Sequence, residues 1–255
     1  MEKYKVLKEQ LKILGLDAIN EEFYSKAQEY RKKGLDYIDY LAELISTQIS
    51  RHVERSINYR LSKARFPVIK RLEEFNFRFQ PEIDEKAYRK LLDFEFVRDG
   101  ENVIFIGPPG VGKSHLAISL GVKACEHRIR TYFIQTSDLV EELKIAKISK
   151  TLSSYIDKLS RQSLLIIDEL GYSPLSPEDA NLFFQLVSRK YEKTSIVITS
   201  NKNFQDWDSI FNDEVIAAAI IDRLLHHCHL FVINGPSYRI KDKVREGNLV
   251  EKEED

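Results

Sequence analysis

Residues 107 to 115 read GPPGVGKSH, and the spacing Gly107-x-x-x-x-Gly112-Lys113-Ser114 is that of a phosphate-binding loop. Glycines let consecutive backbone N–H groups turn inward around an anion, and a lysine at that distance reaches the terminal phosphates. The following hydroxyl can ligate Mg²⁺, and the helix that starts there turns its positive end to the negative charge. The stretch Gly107, Pro108, Pro109, Gly110, Val111, Gly112, Lys113, Ser114 and His115 is therefore the candidate nucleotide site. A phosphate cradle alone does not separate a kinase from a motor, a switch or a loader.

A second group narrows the chemistry. LLIIDEL drives a strand into a sheet and delivers Asp168 and Glu169 at its C-terminal end, where ligands sit in open α/β sheets. Asp168 suits Mg²⁺, directly or through water. Glu169 can polarise an attacking water, a group that a small-molecule kinase does not need. Paired acids at a strand end also serve as helix caps. VITSN brings Asn201 to the same sheet edge, where its amide can orient a water or simply make a turn. Arg223 in AAIIDRLLHH and Arg239 in GPSYRIK can each neutralise γ-phosphate charge, or form surface ion pairs.

These groups need a scaffold. From Glu101 on, short β-rich runs alternate with helical stretches: Asn102 to Gly107, Thr131 to Gln135, Leu164 to Asp168, Ser195 to Asn201 and His229 to Ile233. That alternation predicts an α/β fold, a P-loop core with a five-stranded, mostly parallel sheet. Residues 136–163 have room for two short helices between strands, and Ser176, Pro177 and Asp179 mark a clear helix start. Residues 1–66 lack proline and carry apolar residues at helical spacing (Leu7, Leu11, Leu14; Tyr37, Leu41, Leu44, Ile45, Ile49), with one break at Lys32 to Asp36. They predict a small all-helical domain ending near Phe66–Pro67. Residues 67–100, with Phe75, Phe77 and Phe79 before Pro81, are expected to form an extended connector packed on the next domain. The ATPase domain then covers 101–241 and an acidic tail 242–255.

Composition sets the remaining bounds. The chain of 255 residues is 43% hydrophobic with a formal net charge of -1, so attraction to a polyanion has to come from local segregation. Arg51, Arg55, Arg60, Lys63, Arg65, Lys70 and Arg71 cluster between residues 51 and 71 against Glu54 alone, and Lys144, Lys147 and Lys150 recur at every third position. Both sets fit duplex DNA phosphates, and both also fit solvated helix faces. Cys125 and Cys228 are too few for a disulfide framework. His226, His227, Cys228 and His229 read poorly as a metal site, because only alternate residues of a strand share a face. No apolar run approaches a membrane span, and the first residues lack the apolar core of a signal peptide, so a cytoplasmic protein with no membrane partner is expected.

Taken in this order, the phosphate loop, Asp168–Glu169, Asn201, Arg223 and Arg239 resemble the AAA+ ATPase plan. GENVIFIGPPGVGKSHLA, LLIIDELGYSPLS, VITSNKNFQDW, DRLLHH and GPSYR are more closely similar to the IstB-type helper ATPases of insertion sequences, over nearly the whole chain, and less closely to DnaC-type helicase loaders. The resemblance implies ATP and Mg²⁺ as ligands. It implies a homo-oligomer on double-stranded DNA, contacted largely without regard to sequence, that selects target sites and recruits or stimulates a partner transposase. It also implies residue roles: Lys113, Ser114 and Asp168 for phosphate and metal, Glu169 to activate water, Asn201 as sensor 1, Arg239 as sensor 2, and Arg223 as a finger acting on a neighbour's nucleotide. One departure from the AAA+ plan is expected: Asn234 to Asp255 is too short for a full helical lid. The alternative is a DnaC-like replicative helicase loader in which ATP switches an adaptor.

Overall fold

The computed structural model describes residues 2–239; the acidic tail and the last two residues of the expected ATPase domain lie outside the described residues. The chain divides into two units, Met1–Tyr59 and Arg60–Asp255, so the division falls before the Phe66–Pro67 position read from the sequence.

The first unit is helical: α1 (Glu2–Ile13), α2 (Asp17–Lys33) and α3 (Tyr37–Lys63), whose last turn belongs to the second unit. It has two breaks, not the single one expected. Gly34 (φ 64°) ends α2 as anticipated. Gly15 (φ 67°) also takes the left-handed conformation, and the Leu16 N–H donates to Leu11 O at 2.9 Å, which stops α1 before Leu14. Leu11, Phe23 and Leu44 are buried at its centre with Tyr4, Leu16, Ile19 and Tyr40 packed on them. Most of the remaining apolar stripe (Leu7, Leu14, Tyr37, Leu41, Ile45, Ile49) is exposed. The Gln48 side chain accepts from the Ala18 N–H at 3.0 Å and holds the start of α2 to α3.

In the second unit, residues 67–100 are not an extended connector. They form 3-10 turns at Leu72–Glu74 and Phe77–Phe79, then α4 (Glu85–Lys90), a further turn and α5 (Glu95–Arg98). Asn76 and Asp84 cap their elements by accepting from the Phe79 and Ala87 N–H groups. Leu72, Phe75, Ile83, Tyr88, Leu91, Phe94 and Phe96 pack into the main core, and the buried Tyr88 hydroxyl donates to Leu116 O at 2.9 Å. The aromatic alternation that suggests a strand is instead a set of side chains turned inward by helical turns.

The sheet contains β1 (Asn102–Ile106), β2 (Thr131–Gln135), β3 (Leu164–Leu170), β4 (Ser195–Ser200) and β5 (Cys228–Val232) in the order β2-β3-β4-β1-β5, with every pairing parallel. Between them run α6 (Lys113–Glu126), α7 (Thr136–Ile148), α8 (Leu152–Ser160), α9 (Pro177–Lys190), α10 (Asp208–Phe211) and α11 (Glu214–Leu225). Two helices do fill residues 136–163, and Ser176 caps α9 by accepting from the Asp179 N–H. Alternation splits the core by face. Ile104, Ile106, Leu165, Ile167, Ile196 and Ile198 pack with the layer of α7, α8, α9 and α11. Val103, Phe105, Leu164, Ile166 and Val197 pack with α6 and the 72–96 segment. A parallel sheet covered on both faces needs apolar side chains at consecutive positions, which is why its strands read as continuous apolar runs. Among the described residues no helix is long and apolar enough to cross a membrane.

Lys190 on α9 is fully buried, with Nζ donating to Leu159 O at 3.4 Å and Gln162 O at 3.2 Å, and burial lowers its pKa to about 7. The unfolded chain then binds more protons than the folded one between about pH 7 and the ordinary lysine pKa, so this group makes stability rise with pH across that window. Lys190→Met is expected to raise Tm at pH 6 by more than at pH 9. A gain of about 1 kcal/mol would read as about 2–4 °C in paired thermal melts.

Candidate active site

The site lies at the C-terminal edge of the sheet, where β1, β3 and β4 end beside the start of α6. The turn after β1 holds Gly110 (φ 86°) and Gly112 (φ 102°), and a Cβ on Gly112 would lie 2.6 Å from the Phe75 ring. That close approach needs glycine on two counts, conformation and space. Val111 turns inward and is fully buried, so of the nominated loop its side chain serves the core. Pro108 contributes its carbonyl, which accepts from Lys113 Nζ at 2.8 Å, as Gly107 O does at 2.7 Å. The His115 ring bonds Arg71 O at 2.9 Å and meets Phe75 edge-on, which anchors the 72–96 segment to the start of α6.

Asp168, only 4% exposed, is the centre of the polar cluster. Its Oδ1 accepts from Ser114 Oγ at 2.8 Å and from Thr199 Oγ1, and its backbone carbonyl accepts from Thr136 Oγ1 at 2.9 Å. A buried carboxylate without partners costs several kcal/mol, and here hydroxyls from α6 and β4 supply them. Glu169 follows in the left-handed conformation (φ 62°) and its N–H donates to Thr199 Oγ1 at 3.0 Å.

A cavity of about 540 Å³ opens over these groups, with Lys113, Ser114, Glu169, Asn201 and Arg239 in its wall. Burial lowers the Lys113 pKa to about 8; Asp168 pulls it up, Arg239 pushes it down further and Glu169 pulls it up. Asn201 lines the cavity, and its side-chain oxygen is buried without a protein partner. The Tyr238–Arg239 end is tied down: Tyr238 N donates to Gly110 O at 2.9 Å, Tyr238 Oη to Asn76 O at 2.7 Å, and Gln80 Nε2 to Pro236 O at 2.6 Å. The donor set of hydroxyl, carboxylate and lysine around a glycine cradle fits a nucleotide triphosphate with a hard divalent cation.

Sequence reasoning missed several wall residues. Thr199 was legible in principle, since it shares a strand face with Asn201 two positions later. Lys70 and Glu74 reach the cavity only through folding of a distant segment, Tyr172 and Tyr238 lie beside the nominated Glu169 and Arg239, and Phe75, expected as packing, does both.

Other nominated residues lie elsewhere. Arg223 does not line this cavity; on α11 its guanidinium stacks 4.8 Å from the Phe184 ring and donates to Ala219 O at 2.8 Å. Arg51 pairs with Glu21 at 2.6 Å, Arg55 with Asp17 at 2.8 Å, Arg65 with Glu142 at 2.9 Å and Arg71 with Glu126 at 3.5 Å. Lys144 pairs with Asp179 at 2.9 Å and Lys147 with Glu178 at 2.6 Å. Lys150 is exposed but sits in the turn after α7 (φ 57°), so the three lysines do not share one helix face. Arg60 and Lys63 occupy the last turn of α3. His226 and His227 precede β5 and are not bound by strand alternation; with Glu192 they place possible ligand atoms within 4.8 Å of one another, all exposed.

Gly112→Ala is expected to cost about 1–3 kcal/mol of stability and to displace Phe75. Binding of inorganic tripolyphosphate should be lost with it, as read by thermal shift with and without the anion.

The profile of the IstB-like ATP binding protein family matches residues 9–246. The chain is 44% identical over 236 residues to an ATP-binding protein of insertion sequence IS21 from Pseudomonas aeruginosa, covering 92% of this chain and 89% of the relative. It is 38% identical over 230 residues to the corresponding protein of insertion sequence IS5376 from Geobacillus stearothermophilus, covering 90% and 92%. Among solved structures it is similar in fold to the replication initiator DnaA bound to AMPPCP and single-stranded DNA (TM-score 0.55, 20% identity, 74% of this chain and 58% of that one). It is also similar to the DnaC helicase loader (TM-score 0.50, 24% identity, 58% and 87%). The chain therefore belongs to the IstB-like ATP binding protein family, ATPases built on a P-loop AAA+ core.

Proposed function

We propose that this ATPase hydrolyses ATP with Mg²⁺ as an oligomer on double-stranded DNA and prepares target sites for a transposase. The observation that carries the ATPase chemistry is the convergence of Lys113, Ser114, Glu169, Asn201 and Arg239 on one cavity around the Asp168 cluster. The insertion-sequence role rests on relatives named for insertion sequences.

Lys113 gives up its bonds to the loop carbonyls and holds the terminal phosphates. Ser114 and Asp168 would hold Mg²⁺, which would supply charge neutralisation for the phosphates. Glu169 takes the proton of the attacking water, and Asn201 orients that water with its unpartnered side-chain oxygen. Arg239 neutralises γ-phosphate charge from the same chain. Arg223 faces away from its own cavity, which suits a group that completes the site of a neighbouring copy.

Of the DNA contacts proposed for Arg51, Arg55, Arg60, Lys63, Arg65, Lys144, Lys147 and Lys150, those of Arg51, Arg55, Arg65, Lys144 and Lys147 have to compete with intramolecular carboxylates. Exposed ion pairs contribute at most about 1 kcal/mol, so closely spaced phosphates can replace the carboxylates paired with Arg51, Arg55, Arg65 and Lys147, whereas the Asp179 carboxylate paired with Lys144 is buried and is harder to leave alone. Replacing Lys144, Lys147 and Lys150 together by alanine is expected to lower the slope of log affinity against log salt by about 0.9 for each phosphate no longer neutralised. An unchanged slope removes these lysines from the DNA surface.

Two further outcomes test the reading. ATP binds best while Lys113 is protonated, and bound phosphates raise its pKa above the free value of about 8, so affinity should fall as pH rises through that value. About a 10-fold loss is expected between pH 7 and 9, and Lys113→Met should flatten the profile. Glu169→Gln should bind ATP, hydrolyse it at least about 100-fold more slowly and stay on duplex DNA in the presence of ATP. Binding only to single strands, or only beside a helicase, would favour the loader reading.

A further inference from the structure

The register of the β3–β4 pair breaks where the chemistry sits. Ile167 pairs with Ile198 and Leu170 with Ser200, so β3 spends two residues, Asp168 and Glu169, where β4 spends one, Thr199. An extra residue in one strand leaves a backbone group without its ladder partner and re-aims the side chains beside it. In a regular strand, adjacent side chains point to opposite faces, and two neighbouring carboxylates could not serve one cavity. Here Glu169 takes φ 62°, a conformation that non-glycine residues rarely adopt without support.

The support is one side chain. Thr199 Oγ1 accepts the Glu169 N–H at 3.0 Å and donates its own proton to Asp168 Oδ1, the oxygen that also accepts from Ser114. A hydroxyl has one proton to give and lone pairs to receive, and both functions are used. Thr199 is fully buried yet lies in the cavity wall, so these bonds are shielded from competing water. Valine has the same shape and can make neither bond. Serine can make both.

We propose that Thr199 is a positioning residue for ATP hydrolysis, fixing the Asp168 carboxylate toward the metal and locking the bulge that turns Glu169 into the cavity. This rests on the ATPase reading of the cavity given above. Thr199 acts through its two neighbours, Asp168 and Glu169.

The test titrates Mg²⁺ into the full-length chain with a fluorescent ATP analogue, and measures ATP hydrolysis in parallel, for wild type, Thr199→Val, Thr199→Ser and Lys113→Ala. Loss of an outer group that orients a metal ligand costs about 10–100-fold in metal affinity or activity. Thr199→Val should therefore need about 10-fold or more Mg²⁺ for half-saturation and lose hydrolysis on a similar scale, while metal-free analogue affinity stays within about 2-fold. Thr199→Ser should recover both. A general packing role would shift metal-free binding as well and would not be rescued by serine. Should the valine protein fail to fold, Thr199→Ala supplies a second variant without a hydroxyl. Valine or alanine behaving as wild type in the Mg²⁺ titration, or serine as defective as they are, overturns the proposal. If analogue binding ignores Lys113→Ala, the ATPase reading itself is wrong and the proposal falls with it. If Lys113→Ala abolishes binding and Thr199→Val changes nothing, only the Thr199 assignment fails.

Discussion

The rest of the site depends on holding one buried carboxylate, Asp168, in place. Its partners come from different parts of the chain: Ser114 from the first turn of α6, Thr199 from β4 and Thr136 from the start of α7. Because those hydroxyls meet at a single residue, they fix the phosphate loop, the acidic strand end and the strand carrying Asn201 relative to each other. The parallel sheet makes this possible. Strands that all run the same way end at one edge, and residues far apart in sequence arrive there together.

The same burial shapes the charge balance. Lys113 sits in a partly desolvated position that favours its neutral form, offset by Asp168 and Glu169, so the cavity has a use for an added anion. Arg239 adds positive charge from the segment tied to the phosphate loop through Tyr238, and Arg223 is held away by Phe184. One chain thus brings the phosphate cradle, Ser114, Asp168 and Glu169 to one sheet edge and keeps Arg223 out of that cavity wall. On the proposed function, hydrolysis that needs Arg223 from a neighbour would report assembly.

Local chemistry was legible in the sequence, and long-range geometry was not. The phosphate loop, the strand before Asp168 and the capped start of α9 each carry their signal within a few residues, and the structure has them in place. The bulge at Asp168–Glu169 leaves no such mark, since it follows from pairing with a distant strand. Phe75, Phe77 and Phe79 alternate as a strand would, but caps at Asn76 and Asp84 turn the chain instead. Gly15 comes directly after Leu7, Leu11 and Leu14 at helical spacing, and that spacing does not mark the turn that follows. Lys144 and Lys147 show as a positive patch until α9 brings Asp179 and Glu178 against them.

On the proposed function an active site is completed between copies of the chain, and mixing two disabled proteins reads out that completion. Glu169→Gln lacks the candidate base and Arg223→Ala lacks the candidate finger, so each alone should hydrolyse ATP at background rate. Mixed at equal concentration on duplex DNA, they can form interfaces in which an intact Glu169 faces an intact Arg223. The mixture is expected to regain a substantial fraction of wild-type activity. A mixture no more active than its components, or an Arg223→Ala protein that hydrolyses ATP at the wild-type rate, would rule out a site shared between copies.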